Sequence, residues 1–253
     1  MRTAEVWAGD RAGNIEFTLV EERATLVWLA QLAALELHPS LSLAADIDFV
    51  VCDDLPTLVW LANLADLELH PSLAHVHAPA APAILAFDLD PGPPATIVEC
   101  CRVALLLRDL FGSLGMECYP KSSGSKGMQV YVPLNGEVTY ERTKPYARAV
   151  AQALERSEPD LVLSRMTKSL REGKVFVDWS QNTSSKTTVA AYSLRAREHP
   201  TVSTPITWDE VSDALDAGDP DCLRFEASDV LERVERHGDL FAPVLELEQE
   251  LPE

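Results

Sequence analysis

Asp88 and Asp90 close the apolar run Ile84-Leu85-Ala86-Phe87, and Asp178 closes Lys174-Val175-Phe176-Val177. Alternate side chains of an extended strand share a face, so Asp88 and Asp90 point together while Leu89 points the other way. Two carboxylates aimed at one place repel each other unless a cation lies between them, and hard oxygen donors select Mg²⁺ or Mn²⁺. A D-x-D spacing alone is weak, because solvated turn acids and sugar transferases share it. A second apolar strand delivering a third acid makes a set able to hold two metal ions for in-line phosphoryl transfer.

Between these acids lies Lys121-Ser-Ser-Gly-Ser-Lys-Gly-Met-Gln129, rich in hydroxyls and backbone N–H groups and carrying two cations. Its composition suits a triphosphate cradle, although the spacing is not that of a P-loop and such a stretch is by default only a loop. A second polar stretch, Gln181-Asn-Thr-Ser-Ser-Lys-Thr-Thr188, follows Asp178. Beyond it Ala191-Tyr-Ser-Leu-Arg195 reads as a strand presenting an arginine, a side chain suited to bidentate phosphate contact.

The elements that must position these groups follow an α/β pattern. Strands are expected at 84–90, 128–133 and 174–178, and amphipathic helices at 96–114 and 140–156. Pro91-Gly92-Pro93 makes a turn after the first acid pair. Helices are expected at 208–217 and 227–237, with 246–253 as a frayed acidic tail. Upstream, Thr25–Leu41 recurs at Thr57–Leu73 with 15 of 17 positions identical. Each copy reads as strand, acidic pair and helix, the helix apolar over most of its surface and stopped by His-Pro. Trp28 and Trp60 are accordingly expected to be buried.

The chain has 253 residues, 47% hydrophobic, enough for a sizeable core, which excludes disordered and fibrous classes. Neither a signal peptide nor an apolar run long enough to cross a membrane is recognisable, so the protein is expected to stay in the cytoplasm, with no membrane partner. Five cysteines form no C-x-x-C pair, and His75 and His77 have no cysteine nearby, so neither a disulfide framework nor structural zinc is expected. A net charge of −19 opposes nucleic-acid binding, but it is unevenly spread. Residues 81–200 carry 15 Lys+Arg against 13 Asp+Glu, whereas residues 1–80 carry 3 against 12 and residues 201–253 carry 3 against 15. Any nucleic acid must therefore meet the middle block, where Arg165, Lys168, Arg171 and Lys174 recur at every third position.

Taken together, Phe87-Asp88-Leu-Asp90-Pro-Gly92, Ser123-Gly-Ser-Lys126-Gly127, Val177-Asp178-Trp179-Ser-Gln181, Lys186-Thr-Thr188, Tyr192-Ser-Leu-Arg195 and Leu69-His70-Pro71 resemble a known family. It is the polymerase domain of bacterial ATP-dependent DNA ligase D and its stand-alone relatives, in the archaeo-eukaryotic primase superfamily. The resemblance runs from about residue 47 to about residue 215. It implies an α/β (α+β) primase-polymerase fold, with an RRM-like catalytic module at 81–253 packed on an α/β N-terminal module at 1–80. It also implies metal-dependent, templated addition of nucleotides, ribonucleotides above all, to a DNA primer 3′ end in break repair by end joining.

By motif, Asp88, Asp90 and Asp178 would hold two Mn²⁺ or Mg²⁺ ions. Ser123, Lys126 and Arg195 would grip the triphosphate, and His70 and Gln181 would contact the incoming nucleotide. Implied partners are a nucleoside triphosphate, primer-template or gapped DNA, a DNA ligase and an end-binding protein. His70 has a second reading as a cap after the repeated helix, and its duplicate His38 is given only that reading. Two departures stand out. Gln129 replaces a family histidine, and residues 1–46 lack the basic and aromatic residues that the family uses for template and 5′-phosphate. They leave open a second reading, a catalytically weak or inactive nucleotide-binding relative serving as a repair-complex partner. A metal-dependent hydrolase or sugar transferase is a third.

Overall fold

A computed structural model describes residues 3–8, 11–16 and 50–252. Near the N-terminus, β1 (Thr3–Ala8) and β2 (Arg11–Glu16) pair antiparallel as a two-stranded sheet. The first copy of the repeat, with Trp28 and His38, lies outside the described residues. In the second copy, α1 (Leu55–Asn63) starts at Asp54, whose side chain accepts from the Thr57 amide at 2.8 Å, with Pro56 in the first turn.

The His-Pro sequence does not end this helix. Ala65 adopts φ +62° and the Asp66 amide returns to the Leu61 carbonyl, so the chain leaves the helix well before His70. Nor is Trp60 buried, being 50% exposed. The helix buries only Leu58 and Leu61, against Cys52 and Leu69, and Trp60 falls on the opposite side of so narrow a seam.

The core is a five-stranded sheet of order β4-β5-β3-β7-β6, formed by β3 (Ile84–Pro91), β4 (Tyr119–Ser122), β5 (Met128–Pro133), β6 (Val162–Leu163) and β7 (Val175–Asp178). All pairs are antiparallel except β6 with β7. Helix α2 (Ile97–Ser113) links β3 to β4, and α3 (Tyr140–Ser157) links β5 to the last strands. The order is β-α-β-β-α-β-β: β4, β5, β3 and β7 keep the RRM-like arrangement expected, with β5 and β3 in the middle of these four, and the short β6 is added at the β7 edge. Strand β4 was not expected: Lys121 and Ser122 read as loop but pair with Gln129 and Met128.

Alternation divides the sheet. Leu85, Phe87, Leu89, Met128, Val130, Val132, Val175 and Val177 form one face and pack on Cys100, Val103, Ala104, Leu107 and Phe111 of α2 and on Ala147, Val150, Ala151 and Leu154 of α3. Phe87 and Phe111 meet at 5.7 Å between ring centroids. Helix α2 is fixed at its start by a Thr96–Glu99 capping box. This buried cluster anchors β3 from behind, each large aliphatic or aromatic side chain contributing roughly 1.5–3 kcal/mol before entropy is counted.

Helices α4 (Trp208–Ala217), α5 (Ala227–His237) and α6 (Ala242–Glu246) follow. The segment after α6 is not frayed. Leu251 is buried, its carbonyl accepts from Arg142, and the Gln249 side chain donates to the Glu117 and Pro133 carbonyls.

Candidate active site

The opposite face of the sheet carries the polar row. Strand registers set Lys121 opposite Gln129, Gln129 opposite Asp88, and Asp88 opposite Asp178, so four strands deliver these side chains in one line. Asp90 lies two residues further along β3, on the same face. Burial, and then the Asp90 charge, push the Asp88 carboxyl up to about 7, against a lowering hydrogen bond from Gln129. Asp90 is also raised, by burial above all, although Arg171 at 3.5 Å lowers it.

Each acid has its own restraints. Gln129 Nε2 donates to Asp88 Oδ1 at 3.1 Å and to Thr188 Oγ1 at 2.7 Å, while Tyr131 Oη donates to Gln129 Oε1 at 3.3 Å. Asp178 Oδ1 accepts from the Ser180 amide at 2.8 Å and from Ser180 Oγ at 2.5 Å; Oδ2 accepts from Gln181 at 3.3 Å and lies 3.8 Å from Lys186 Nζ. With the carboxylates turned to these partners, the described residues contain no ready-closed group of three metal-ligating side chains. The donor set nevertheless fits divalent ions: two aspartates face each other across paired strands, a third shares their face, and Asp88 ionises with difficulty without a nearby cation.

The turn after β7 is held by a residue that motif reading passed over. Asn182 is fully buried; its Oδ1 accepts from the Ala86 amide at 2.9 Å and its Nδ2 donates to the Ala86 carbonyl at 2.8 Å. The carboxamide thus continues the β3 ladder where β7 has ended at Asp178.

Lys121, read from sequence as one of the two loop cations, is instead buried on β4. Its Nζ donates to the Val189 carbonyl at 2.9 Å and to Ser203 Oγ at 2.6 Å, and burial lowers its pKa to about 7.

The Ser/Gly/Lys loop is pressed against this row. A Cβ on Gly127 would stand 2.0 Å from the Leu89 carbonyl oxygen, and Gly124, at φ +63°, lies where a Cβ would meet Arg195 Cγ at 2.8 Å. Ser123 Oγ is engaged within the loop, donating to the Gly127 carbonyl and accepting from the Ser125 and Gly127 amides. Lys126 is exposed and lines a cleft of about 320 Å³ with Arg197 and Arg224.

His70 is no helix cap. It lies in an irregular segment where the Leu69 carbonyl accepts from the Ala190 amide and the Pro71 carbonyl from the Thr188 amide, and Glu68 links it to Arg195. The structure therefore gathers Asp88, Asp90, Asp178 and Gln181 on one side and His70 with Arg195 on the other, the loop of Ser123 adjoining Arg195. The basic series at 165–174 does not form one face. Arg165 pairs with Glu155, Arg171 with Asp90, and Lys174 Nζ donates to the Pro159 carbonyl, which leaves Lys168 without an ion pair among the described residues.

An RRM-like sheet with acids in the polar row of one face and cationic loops beside it is the arrangement of the primase-polymerase class. The family model described as "LigD, primase-polymerase domain" matches residues 43–241, and the chain belongs to that family. It is 46% identical over 234 residues to the multifunctional non-homologous end joining protein LigD of Mycolicibacterium smegmatis, covering 92% of this chain and 26% of that protein. Against the bifunctional non-homologous end joining protein LigD of Bacillus subtilis it is 32% identical over 227 residues, 89% of this chain and 31% of that protein. The chain thus spans about a quarter to a third of these relatives. The polymerase domain from Mycobacterium tuberculosis ligase D, solved in complex with DNA, superposes with a TM-score of 0.74 at 35% identity, covering 96% of this chain and 83% of that one. The hydrolase and sugar-transferase readings fall with this match, and the inactive-relative reading is not favoured.

Proposed function

We propose that this chain adds nucleotides, ribonucleotides in preference, to the 3′ end of a DNA primer bound to template or across a gap, in break repair by end joining. The observation that carries the reading is the placement of Asp88 directly opposite Asp178 on paired strands, with Asp90 on the same face. These three would hold two divalent ions, Mn²⁺ or Mg²⁺, which when bound lower the pKa of the primer 3′-hydroxyl and offset charge on the triphosphate. Gln129 orients Asp88 through a neutral donor, and Gln181 and Ser180 orient Asp178. Arg195 and Lys126 hold the triphosphate from the rim, Ser123 holds the loop that carries Lys126, and His70 and Gln181 contact the nucleotide. The 3′-oxygen attacks the α-phosphorus, the bond to the bridging oxygen breaks, and pyrophosphate leaves. A DNA ligase and an end-binding protein are the partners such a reaction requires to complete a repair. Extension of a gapped primer with labelled ribonucleotide and deoxyribonucleotide, each in Mn²⁺ and in Mg²⁺, tests the reading. Ribonucleotide addition in Mn²⁺ is expected to be fastest, and binding of nucleotide without extension under any condition would favour the catalytically weak alternative.

A further inference from the structure

Glu68 is a carboxylate set where a phosphate-binding site has no electrostatic use for one. In the irregular segment before Pro71, the side chains of Glu68 and His70 meet. Glu68 Oε1 accepts from His70 Nε2 at 2.9 Å and lies 3.4 Å from an Arg195 guanidinium nitrogen, while Oε2 accepts from the Ala196 amide at 2.6 Å. One side chain therefore binds two of the proposed substrate contacts, His70 and Arg195, and the backbone after the second. The segment itself is stitched to the stretch before Arg195, which is not the strand expected but a turn at Ala191–Tyr192 followed by a single bridge between Leu194 and Val202: the Leu69 amide donates to Ser193 Oγ at 2.8 Å, and the Leu69 carbonyl accepts from Ala190 at 2.9 Å.

We infer that Glu68 is a positioning residue that locks His70 and Arg195 into one frame, so that the nucleoside and the triphosphate of a single substrate are gripped together. The inference rests on the nucleotide-site reading above. Glu68 is held ionised, its pKa brought down to about 2 by the His70 hydrogen bond first and then by the Ala196 amide and Arg195, against burial. Its charge opposes that of an incoming phosphate, so its benefit must be geometric. A guanidinium has five N–H donors, and fixing it through one edge leaves the others in a set direction for phosphate oxygens. Gly124 tightens the frame from the far side, since nothing larger fits between the loop and Arg195.

Primer extension and titration with a fluorescent nucleoside triphosphate, on wild type, Glu68→Ala, Glu68→Gln, Arg195→Ala and the Glu68→Ala/Arg195→Ala double variant, test this. Glu68→Ala is expected to raise KM roughly tenfold or more, the loss of about one charge-assisted hydrogen bond, and to lower kcat less. Glu68→Gln, which keeps the size and one acceptor, should fall between Glu68→Ala and wild type and remain readable should the alanine variant fold poorly. In the Arg195→Ala background Glu68→Ala should cost less than in wild type, keeping only the part that runs through His70; full additivity would assign Glu68 a merely structural role and overturn the inference. An unchanged or lowered KM in both Glu68 variants, with wild type active and Asp178→Ala inactive, would overturn it while leaving the site reading intact. A wild type that neither binds nor extends would overturn both.

Discussion

Asn182→Ala isolates the way the site is joined to the sheet. Strand β7 pairs with β3 only as far as Asp178 opposite Asp88, and Ala86, two residues back, then lacks a strand on that side. The Asn182 carboxamide fills the place with bonds of 2.9 and 2.8 Å to Ala86 and a third, 2.9 Å, to the Trp179 carbonyl. Both Asn182 and Ala86 are buried, at 0% and 2% exposure, so truncation strands one amide and one carbonyl away from bulk water. An unsatisfied buried group costs about 1–3 kcal/mol, which puts the loss at about 3–5 kcal/mol with the Trp179 bond included. That is a large part of the 5–15 kcal/mol typical of a domain. At about 2–4 °C per kcal/mol for a chain of this size, Tm should fall by roughly 6–20 °C. Equilibrium urea unfolding followed by tryptophan fluorescence, with the m-value unchanged, is the assay. Asn182→Asp should be no better at neutral pH, since its second oxygen would face two carbonyl oxygens. A loss below about 1 kcal/mol for Asn182→Ala would refute the argument that this side chain replaces a strand.

Gly127→Ala, whose Cβ would stand 2.0 Å from the Leu89 carbonyl oxygen, should displace the loop and abolish nucleotide binding by titration, whereas Gly112→Ala, in α2 with nothing within 4 Å, should raise stability by about 0.5–1 kcal/mol. Lys121, lowered by burial to about 7, binds fewer protons folded than unfolded between about pH 7 and 10.5. Its contribution should therefore become less unfavourable as pH rises through that window, and the stability of wild type relative to Lys121→Met should climb from pH 7 to pH 10 in urea titrations; a flat difference would contradict the assignment. DNA affinity should fall steeply with salt, and Lys168→Ala should weaken it across sequences and reduce the log–log salt slope by about 1 in fluorescence anisotropy.

The three aspartates were legible because each follows from a local rule, an apolar run ending in an acid and the alternation that pairs Asp88 with Asp90. The elements β3, α2, β5, α3 and β7 were legible for the same reason, since each announces its own periodicity, whereas their RRM-like arrangement came from the family resemblance. Lys121 was not, because Lys-Ser-Ser-Gly has loop composition and becomes a strand only through pairing with Gln129. The end of α1 was missed because the apolar repeat continues past Asn63, and nothing in its composition marks the positive φ at Ala65. Asn182 and Glu68 act on partners 96 and 128 residues away, a distance over which spacing carries no signal. The burial expected of Trp60 failed because apolar composition on all sides of a helix does not say how many neighbours the fold supplies.

The central claim is that Asp88, Asp90 and Asp178 act as one metal-binding set in nucleotide addition. Extension of a gapped DNA primer in Mn²⁺ by wild type and by Asp178→Ala, with circular dichroism to establish that the variant is folded, tests it most directly. Asp178 faces Asp88 across the β3–β7 pair and lies outside the hydrophobic core; alanine forfeits its bonds to Ser180 and Gln181, which is why folding is checked alongside. Wild type should extend the primer and folded Asp178→Ala should not, a loss of several orders of magnitude in rate. Equal extension by the two proteins would contradict the account.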